Sequence, residues 1–199
     1  MPRLRRGDLP PRITCTPPGP GSRRQARQLA RYEAPGINTL GPDGTTLVWE
    51  EARGSNILDV DGNRFIDFTA GFGVAAVGHR HPAVVAAIRE QSGVLLQGLA
   101  DVHAHRLRPR LARELARVAP VSDPQVFFAV SGSDAIEIAI KTALMATGRS
   151  GVLAFEPAYH GLSLGALQMT SRDAFRKPFA AHFHSLEQRL PFGCSTEVL

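Results

Sequence analysis

Ser131-Gly132-Ser133-Asp134-Ala135-Ile136-Glu137 is the stretch whose reading decides the fold. The apolar run Val126-Phe127-Phe128-Ala129-Val130 stands before it and reads as a buried strand. Gly132 occupies the turn, Asp134 opens a helix running to Thr147, and Gly148 ends it. Val152 to Phe155 reads as a second short buried strand. Strand, helix and strand at this spacing make a βαβ unit, which predicts a parallel sheet and an α/β fold class. Strand, small-residue turn and helix start also form a geometry that binds phosphate. The first amides of a helix lack internal acceptors and carry the positive end of its dipole. Gly132 lets the backbone approach an anion, and Ser133 adds a hydroxyl. Tyr159-His160-Gly161 follows the second strand with a flat aromatic ring, an imidazole and a residue without a side chain. A phosphate cradle near an aromatic platform suits a phosphorylated aromatic cofactor.

The helix from Asp134 carries Ile136, Ile138, Ile140, Leu144 and Met145 on several faces, which predicts burial between the sheet and other structure. Glu137 and Lys141 stand four apart and are expected to pair. Upstream, Asn56 to Val60 and Arg64 to Phe68 alternate polar and apolar residues around Asp61-Gly62, the pattern of a β-hairpin. Leu47-Val48-Trp49 begins a further strand, and the three are expected to form a small antiparallel sheet separate from the parallel one. Ser22 caps a predicted helix over 22–33, Pro82 opens another running to about Gln97, and a third covers His103 to Val118.

Three motifs fail on their spacing. Asp59-x-Asp61-x-Asn63 has its glycine in the fourth position of a calcium loop instead of the sixth, and Ala70 stands where a bidentate Glu is required. His79-Arg80-His81 and the pair His103 and His105 lack a third metal ligand, so these histidines are expected to be structural and no metal site is predicted. Gly71-Phe72-Gly73 lacks the third glycine of a dinucleotide fingerprint.

The 199 residues, 43% hydrophobic and 21% charged, suit one or two globular domains. No apolar run approaches the roughly 20 residues of a membrane span, and no secretory signal is visible. Cys15 and Cys194 share no metal or redox spacing, so a cytoplasmic protein without a membrane partner is expected. The net charge of +5 is concentrated in Arg3, Arg5, Arg6, Arg12, Arg23, Arg24, Arg27 and Arg31, opposed there only by Asp8. The rest is slightly acidic, so no general nucleic-acid surface is implied and no nucleic-acid partner is predicted; the basic tail could touch nucleic acid or an anionic surface, but a solvated leader is the favoured reading. Prolines and glycines crowd residues 7–21, so residues 1–21 are expected to be a disordered basic leader. Only Lys141 and Lys177 among the 23 basic residues are lysines.

In this order, Asp59-Val60-Asp61-Gly62-Asn63-Arg64-Phe65-Ile66-Asp67-Phe68, Gly78-His79-Arg80-His81-Pro82, Ser131-Gly132-Ser133, Tyr159-His160-Gly161 and Arg189-Leu190-Pro191-Phe192-Gly193 form a series. From about Leu47 onward the chain resembles the class III aminotransferases, pyridoxal-phosphate enzymes of fold type I. The resemblance implies that residues 22–80 are the N-terminal segment of the small domain and 81–199 the first part of the cofactor-binding large domain. It implies transfer of an amino group from an amino acid or ω-amine, such as 4-aminobutyrate, to a 2-oxo acid through pyridoxal 5'-phosphate. Gly132 and Ser133 then hold the phosphate, and Tyr159 stacks on the pyridine ring. His160 shares that loop, and Glu137 orients the loop or the site. Phe72 falls either at a substrate contact or in packing beneath the hairpin. The lysine that carries the cofactor as a Schiff base, and the aspartate beside the pyridine nitrogen, lie further along in the family. No catalytic residue is therefore assigned here, and the chain is expected to be an N-terminal portion, homodimeric when full length. An aminomutase, racemase or decarboxylase of the same superfamily, or a non-catalytic remnant, are the alternatives.

Overall fold

The computed structural model describes residues 4–34, 46–99, 102–183 and 187–193. Two compact units divide the chain, Met1–His105 and Arg106–Leu199. The boundary expected between Arg80 and His81 falls inside the first of them. Cys194 and Pro35 lie outside the described residues.

In the first unit, β1 (Trp49–Arg53), β2 (Asn56–Asp59) and β3 (Arg64–Ile66) form an antiparallel sheet in that order. The expected hairpin is present, with Asn56 opposite Ile66 and Leu58 opposite Arg64. Its turn is built by the carboxylate of Asp59, which accepts from the amides of Asp61 (3.0 Å) and Asn63 (2.7 Å) and from Asn63 Nδ2 (2.8 Å). Gly62 supplies the left-handed residue, with φ +84°. Asn56, Asp59 and Asn63 are all buried. A buried polar group costs about 1–3 kcal/mol when unpaired, and here each is hydrogen-bonded.

These side chains order the leader over residues 4–21, which corrects the expectation of disorder there; residues 1–3 lie outside the described residues. Asn56 exchanges hydrogen bonds with the backbone of Leu9 at 2.8 and 2.9 Å. Asn63 Oδ1 accepts from the amides of Thr14 (2.8 Å) and Cys15 (3.0 Å). Arg12 pairs with Arg64 through two backbone hydrogen bonds, and Leu4 is buried. Proline-rich chain stays unfolded only where it has nothing to bind; here it completes the acceptor and donor set of a polar turn. The helix α1 (Pro20–Tyr32) likewise begins earlier than expected. Asp61, from the hairpin turn, accepts from the amides of Gly21 (2.6 Å) and Ser22 (2.8 Å). Ser22 is fully buried, and its hydroxyl accepts from the Val48 amide instead of capping the helix. Burial alone would raise the Asp61 carboxyl; the hydrogen bonds from Ser22 and Gly21 and the charge of Arg24 outweigh it and hold the group below its ordinary value.

Asp67 organises the next loop. Its Oδ1 accepts from Thr69 N, Thr69 Oγ1 and Ala70 N at 2.8–2.9 Å, and its Oδ2 lies 2.7 Å from His79 Nε2. His79 also stands edge-on to Trp49, the structural role expected of it. The enclosed loop carries positive φ at Ala70, Gly71, Phe72 and Gly73. Phe72 is 93% exposed, so it does not pack beneath the hairpin. α2 (Pro82–Ser92) stops at Gly93, short of the expected Gln97.

The second unit holds α3 (Leu107–Val118), α4 (Gly132–Thr147), β4 (Val152–Glu156), α5 (Leu164–Met169), α6 (Asp173–Arg176), a 3-10 helix (Lys177–His182) and β5 (Glu187–Pro191). Its sheet is parallel, as expected, but the partner of β4 is β5, with Ala154 opposite Arg189 and Phe155 opposite Leu190. Val126 to Val130 is not a strand: Phe127 and Val130 project into solvent, the latter 96% exposed. An apolar run becomes a strand only where a ladder partner exists, and no described segment pairs with it. α4 also differs from expectation. None of its residues is buried, and Met145 is 87% exposed. The core of this unit is formed instead by Ala154 of β4, Ala166, Leu167 and Met169 of α5 and Leu190 of β5, all of them buried.

The Asp67 hydrogen bonds have a pH signature. His79, first among them, and then Thr69 lower the Asp67 carboxyl from 3.8 to about 2, against a smaller opposing effect of burial. A carboxyl depressed on folding contributes its stability fully above its unfolded value and loses it as pH falls through the folded one. We expect a carbon-detected titration of Asp67 to show a midpoint near 2. Stability of the first unit should fall between about pH 4 and pH 2, and Asp67→Asn should remove that part of the acid dependence in chemical denaturation. A midpoint at the ordinary value would show that the His79 contact does not act on the carboxylate.

Candidate cofactor site

The start of α4 leaves two amides open. Ser131 is the N-cap, and its hydroxyl accepts from the Asp134 amide at 3.1 Å. Asp134 returns the interaction by accepting from the Val130 amide at 3.0 Å, a reciprocal capping arrangement. Ala135 N reaches the Ser131 carbonyl. Between them the amides of Gly132 and Ser133 have no acceptor among the described residues, and a Cβ added at Gly132 would meet nothing within 4 Å. Two unpaired amides at the positive end of a sixteen-residue helix are chemically suited to an anion.

The loop bearing Tyr159 and His160 is tied to this turn. Ser133 Oγ lies 2.5 Å from Ser163 Oγ and accepts from the Ser163 amide at 3.0 Å. Glu137, one turn further along α4, accepts from the amides of Gly165 (2.6 Å) and Ala166 (3.1 Å). These are the second and third residues of α5, so Glu137 caps α5 from a different helix. The expected pairing of Glu137 with Lys141 is replaced by this cap, because two orphan amides offer a carboxylate more than one exposed ammonium does. Two glycines are required by the close approach. A Cβ on Gly161 (φ +118°) would fall 2.5–2.9 Å from the Ser133 side chain and Cα, and one on Gly165 would fall 2.5 Å from Glu137 Oε2.

The loop is held from its other side by Thr170, which is fully buried. Its hydroxyl accepts from His160 N (3.0 Å) and lies 3.0 Å from the Gly161 carbonyl. Ser171 and Ala158 exchange two more hydrogen bonds. His160 is thus engaged through its backbone, while the ring of Tyr159 remains 57% exposed. Gly132, Ser133, Glu137, Tyr159 and His160 are therefore brought into one assembly. Phe72 belongs to the first unit.

Sequence reasoning missed Ser163, Gly165 and Thr170, and Arg189 entered it only as part of a motif, without a role. Arg189 reaches the carbonyls of Gln168, Met169 and Thr170 at the C-terminal end of α5. The signal available for Ser163 was a hydroxyl residue directly before the apolar run Leu164 to Met169.

The sequence profile of the family Aminotransferase class-III matches residues 40–197, and the chain belongs to that family. It is 37% identical over 168 residues to the alanine/serine racemase of Pyrococcus horikoshii, covering 84% of this chain and 35% of that protein. It is 38% identical over 157 residues to the acetylornithine aminotransferase of Methanopyrus kandleri, covering 79% and 39%. With the 5-aminovalerate aminotransferase DavT of Pseudomonas aeruginosa it shares 42% over 138 residues, covering 69% and 32%. Among solved structures, the taurine:2-oxoglutarate aminotransferase from Bifidobacterium kashiwanohense, in complex with PLP and glutamate, superposes with a TM-score of 0.74 at 26% identity, over 85% of this chain and 38% of that one. The fold is thus that of the matching part of fold type I transaminases. The chain spans less than two fifths of the length of each of these relatives.

The cap supplied by Glu137 is testable without ligand. Glu137→Ala should lower the stability of the second unit by about 1–2 kcal/mol, as loss of an N-cap does, and speed amide exchange at Gly165 and Ala166. Gly161→Ala should cost more, since it combines a positive φ with a clash against backbone. Unchanged exchange at Gly165 in the Glu137 variant, followed by NMR, would show that α5 does not depend on this carboxylate.

Proposed function

We propose that this chain carries the phosphate- and ring-holding part of a pyridoxal 5'-phosphate site used for amino-group transfer from an amine donor to a 2-oxo acid. The observation that carries the reading is the pair of unpartnered amides at Gly132 and Ser133, with the Tyr159 loop bonded to the same helical turn. In this reading the two amides bind the phosphate, and the Ser133 hydroxyl exchanges its Ser163 partner for, or shares it with, a phosphate oxygen. Tyr159 lies flat on the pyridine ring and fixes its plane. His160 positions Tyr159 through its backbone bond to Thr170, and Glu137 keeps the loop at the right depth by holding α5. Phe72 borders the substrate. When bound, the cofactor supplies an aldehyde that captures a primary amine and a ring that accepts the electrons left by loss of a proton.

The lysines of this chain are not placed for that capture. Lys141 is exposed on α4, a turn beyond Glu137, and Lys177 is exposed and 3.4 Å from Asp173. The reading takes the cofactor lysine and the pyridine-nitrogen aspartate from sequence beyond these residues, in a cytoplasmic homodimer. The family relationship supports the cofactor and the amino-group chemistry. A racemase is the second reading, favoured by the 37% identity to the Pyrococcus protein; it shares the cofactor site and differs in where the proton returns.

Titrating pyridoxal phosphate into isotopically labelled chain should shift the amides of Gly132 and Ser133 and the ring signals of Tyr159. Inorganic phosphate should shift the two amides alone. Borohydride reduction followed by peptide mass spectrometry should find no stoichiometric adduct at Lys141 or Lys177. Shifts confined to other residues, or a specific adduct on either lysine, would overturn the assignment of this site.

A further inference from the structure

The arginines of α1 are displayed on a rigid platform. Arg23, Arg24, Arg27 and Arg31 fall within an arc of about 100° on the helical wheel, and Arg23, Arg27 and Arg31 succeed one another about 6 Å apart along the axis. All four are exposed, and the helix contains no acidic residue. The opposite side is fixed: Ser22 and Ala26 are buried, and Asp61 holds the first amides. Arg23 donates to the Pro18 carbonyl, and Arg24 acts on Asp61. Arg27 is solvated, and Arg31 lies over the ring of Tyr32, 5.1 Å from its centroid. Tyr32 is itself 76% exposed at the end of the helix. The other arginine-rich helix, α3, is different, because Arg113 and Arg117 both pair with Glu114.

We propose that this face of α1 binds single-stranded nucleic acid, with Arg27 and Arg31 on phosphates and Tyr32 under a base. Charge complementarity argues for a polyphosphate chain. The exposed aromatic at the end of the arginine row provides the stacking platform that single strands use. A lipid surface fits less well, since a helix that lies in a membrane interface needs an exposed apolar face. Here Ala26 is buried and Leu29, 42% exposed, is the single leucine of α1, so the helix offers no broad apolar face. The ordered leader matters too, because a fixed helix does not lose freedom on binding as a disordered basic tail would.

The test is fluorescence anisotropy of a labelled oligothymidylate of about 20 nucleotides with the 199-residue chain, from about 50 mM salt upward. Saturable binding is expected. Arg27→Gln with Arg31→Gln should weaken it about tenfold and reduce the slope of log K against log salt by about 1.4, or about 0.7 for each lost contact. Arg27→Lys with Arg31→Lys should preserve the slope, and Tyr32→Ala should weaken binding with the slope unchanged. Arg113→Gln with Arg117→Gln on α3 makes the same change in net charge and should leave binding intact. Circular dichroism establishes that each variant is folded. Absence of saturable binding, an equal loss from the α3 variant, or capture of phosphatidylserine vesicles without oligonucleotide binding would each overturn the proposal.

Discussion

A helix of six residues cannot sustain itself, since nucleation costs more than so few hydrogen bonds return. α5 exists because both of its ends are held by charges from elsewhere. Glu137 closes its N-terminal amides, and Arg189 reaches its C-terminal carbonyls. Each charge stands at the end of the helix dipole that attracts it. Between them Ala166, Leu167 and Met169 are buried, the last two contributing on the order of 1.5–3 kcal/mol apiece. The arrangement locks three stretches that are distant in sequence. α4 supplies the acid, β5 supplies the guanidinium, and the loop from Tyr159 to Ser163 is held at the helix entrance with the Ser133 hydroxyl against it.

That constraint explains the residue types around the site. Gly161 and Gly165 are where α4 and the loop come too close for any Cβ. Thr170 must be a hydroxyl residue because it is buried and answers both the His160 amide and the Gly161 carbonyl. The amides of Gly132 and Ser133, free among the described residues, are the complement of this arrangement. The amides of Val130, Asp134 and Ala135 around them are satisfied by Asp134 or Ser131, so the donors that begin the helix are the ones left for a ligand.

The first unit obeys the same logic with a polar turn in place of a polar clasp. Asp59, Asp61 and Asn63 stand at alternate positions, and each is used for a different purpose. Asp59 closes the hairpin, Asp61 caps α1 about 40 residues earlier in the chain, and Asn63 pins the leader. The spacing that fails as a calcium loop succeeds because backbone amides, converging from three segments, take the place of the cation.

Local patterns carried much of this in the sequence alone. The hairpin about Asp61-Gly62, the Ser131 cap, the stop at Gly148 and the proline opening α2 are all decided within a few residues, by backbone conformation and nearby donors. The parallel character of the second sheet was also legible, and so was β4, but not its partner, because β4 pairs with β5 and Val126 to Val130 has no ladder partner among the described residues. What only the tertiary structure decided is where long-range side chains end. Glu137 has Lys141 within one turn, but its acceptor capacity is taken by amides 28 and 29 residues away. Residues 4–19 look disordered by composition and are ordered by Asn56, Asn63 and Glu51, some 47–49 residues later. Local sequence reports the propensity of a segment; a hydrogen bond across the chain forms only where the fold has already brought donor and acceptor together and removed water from between them.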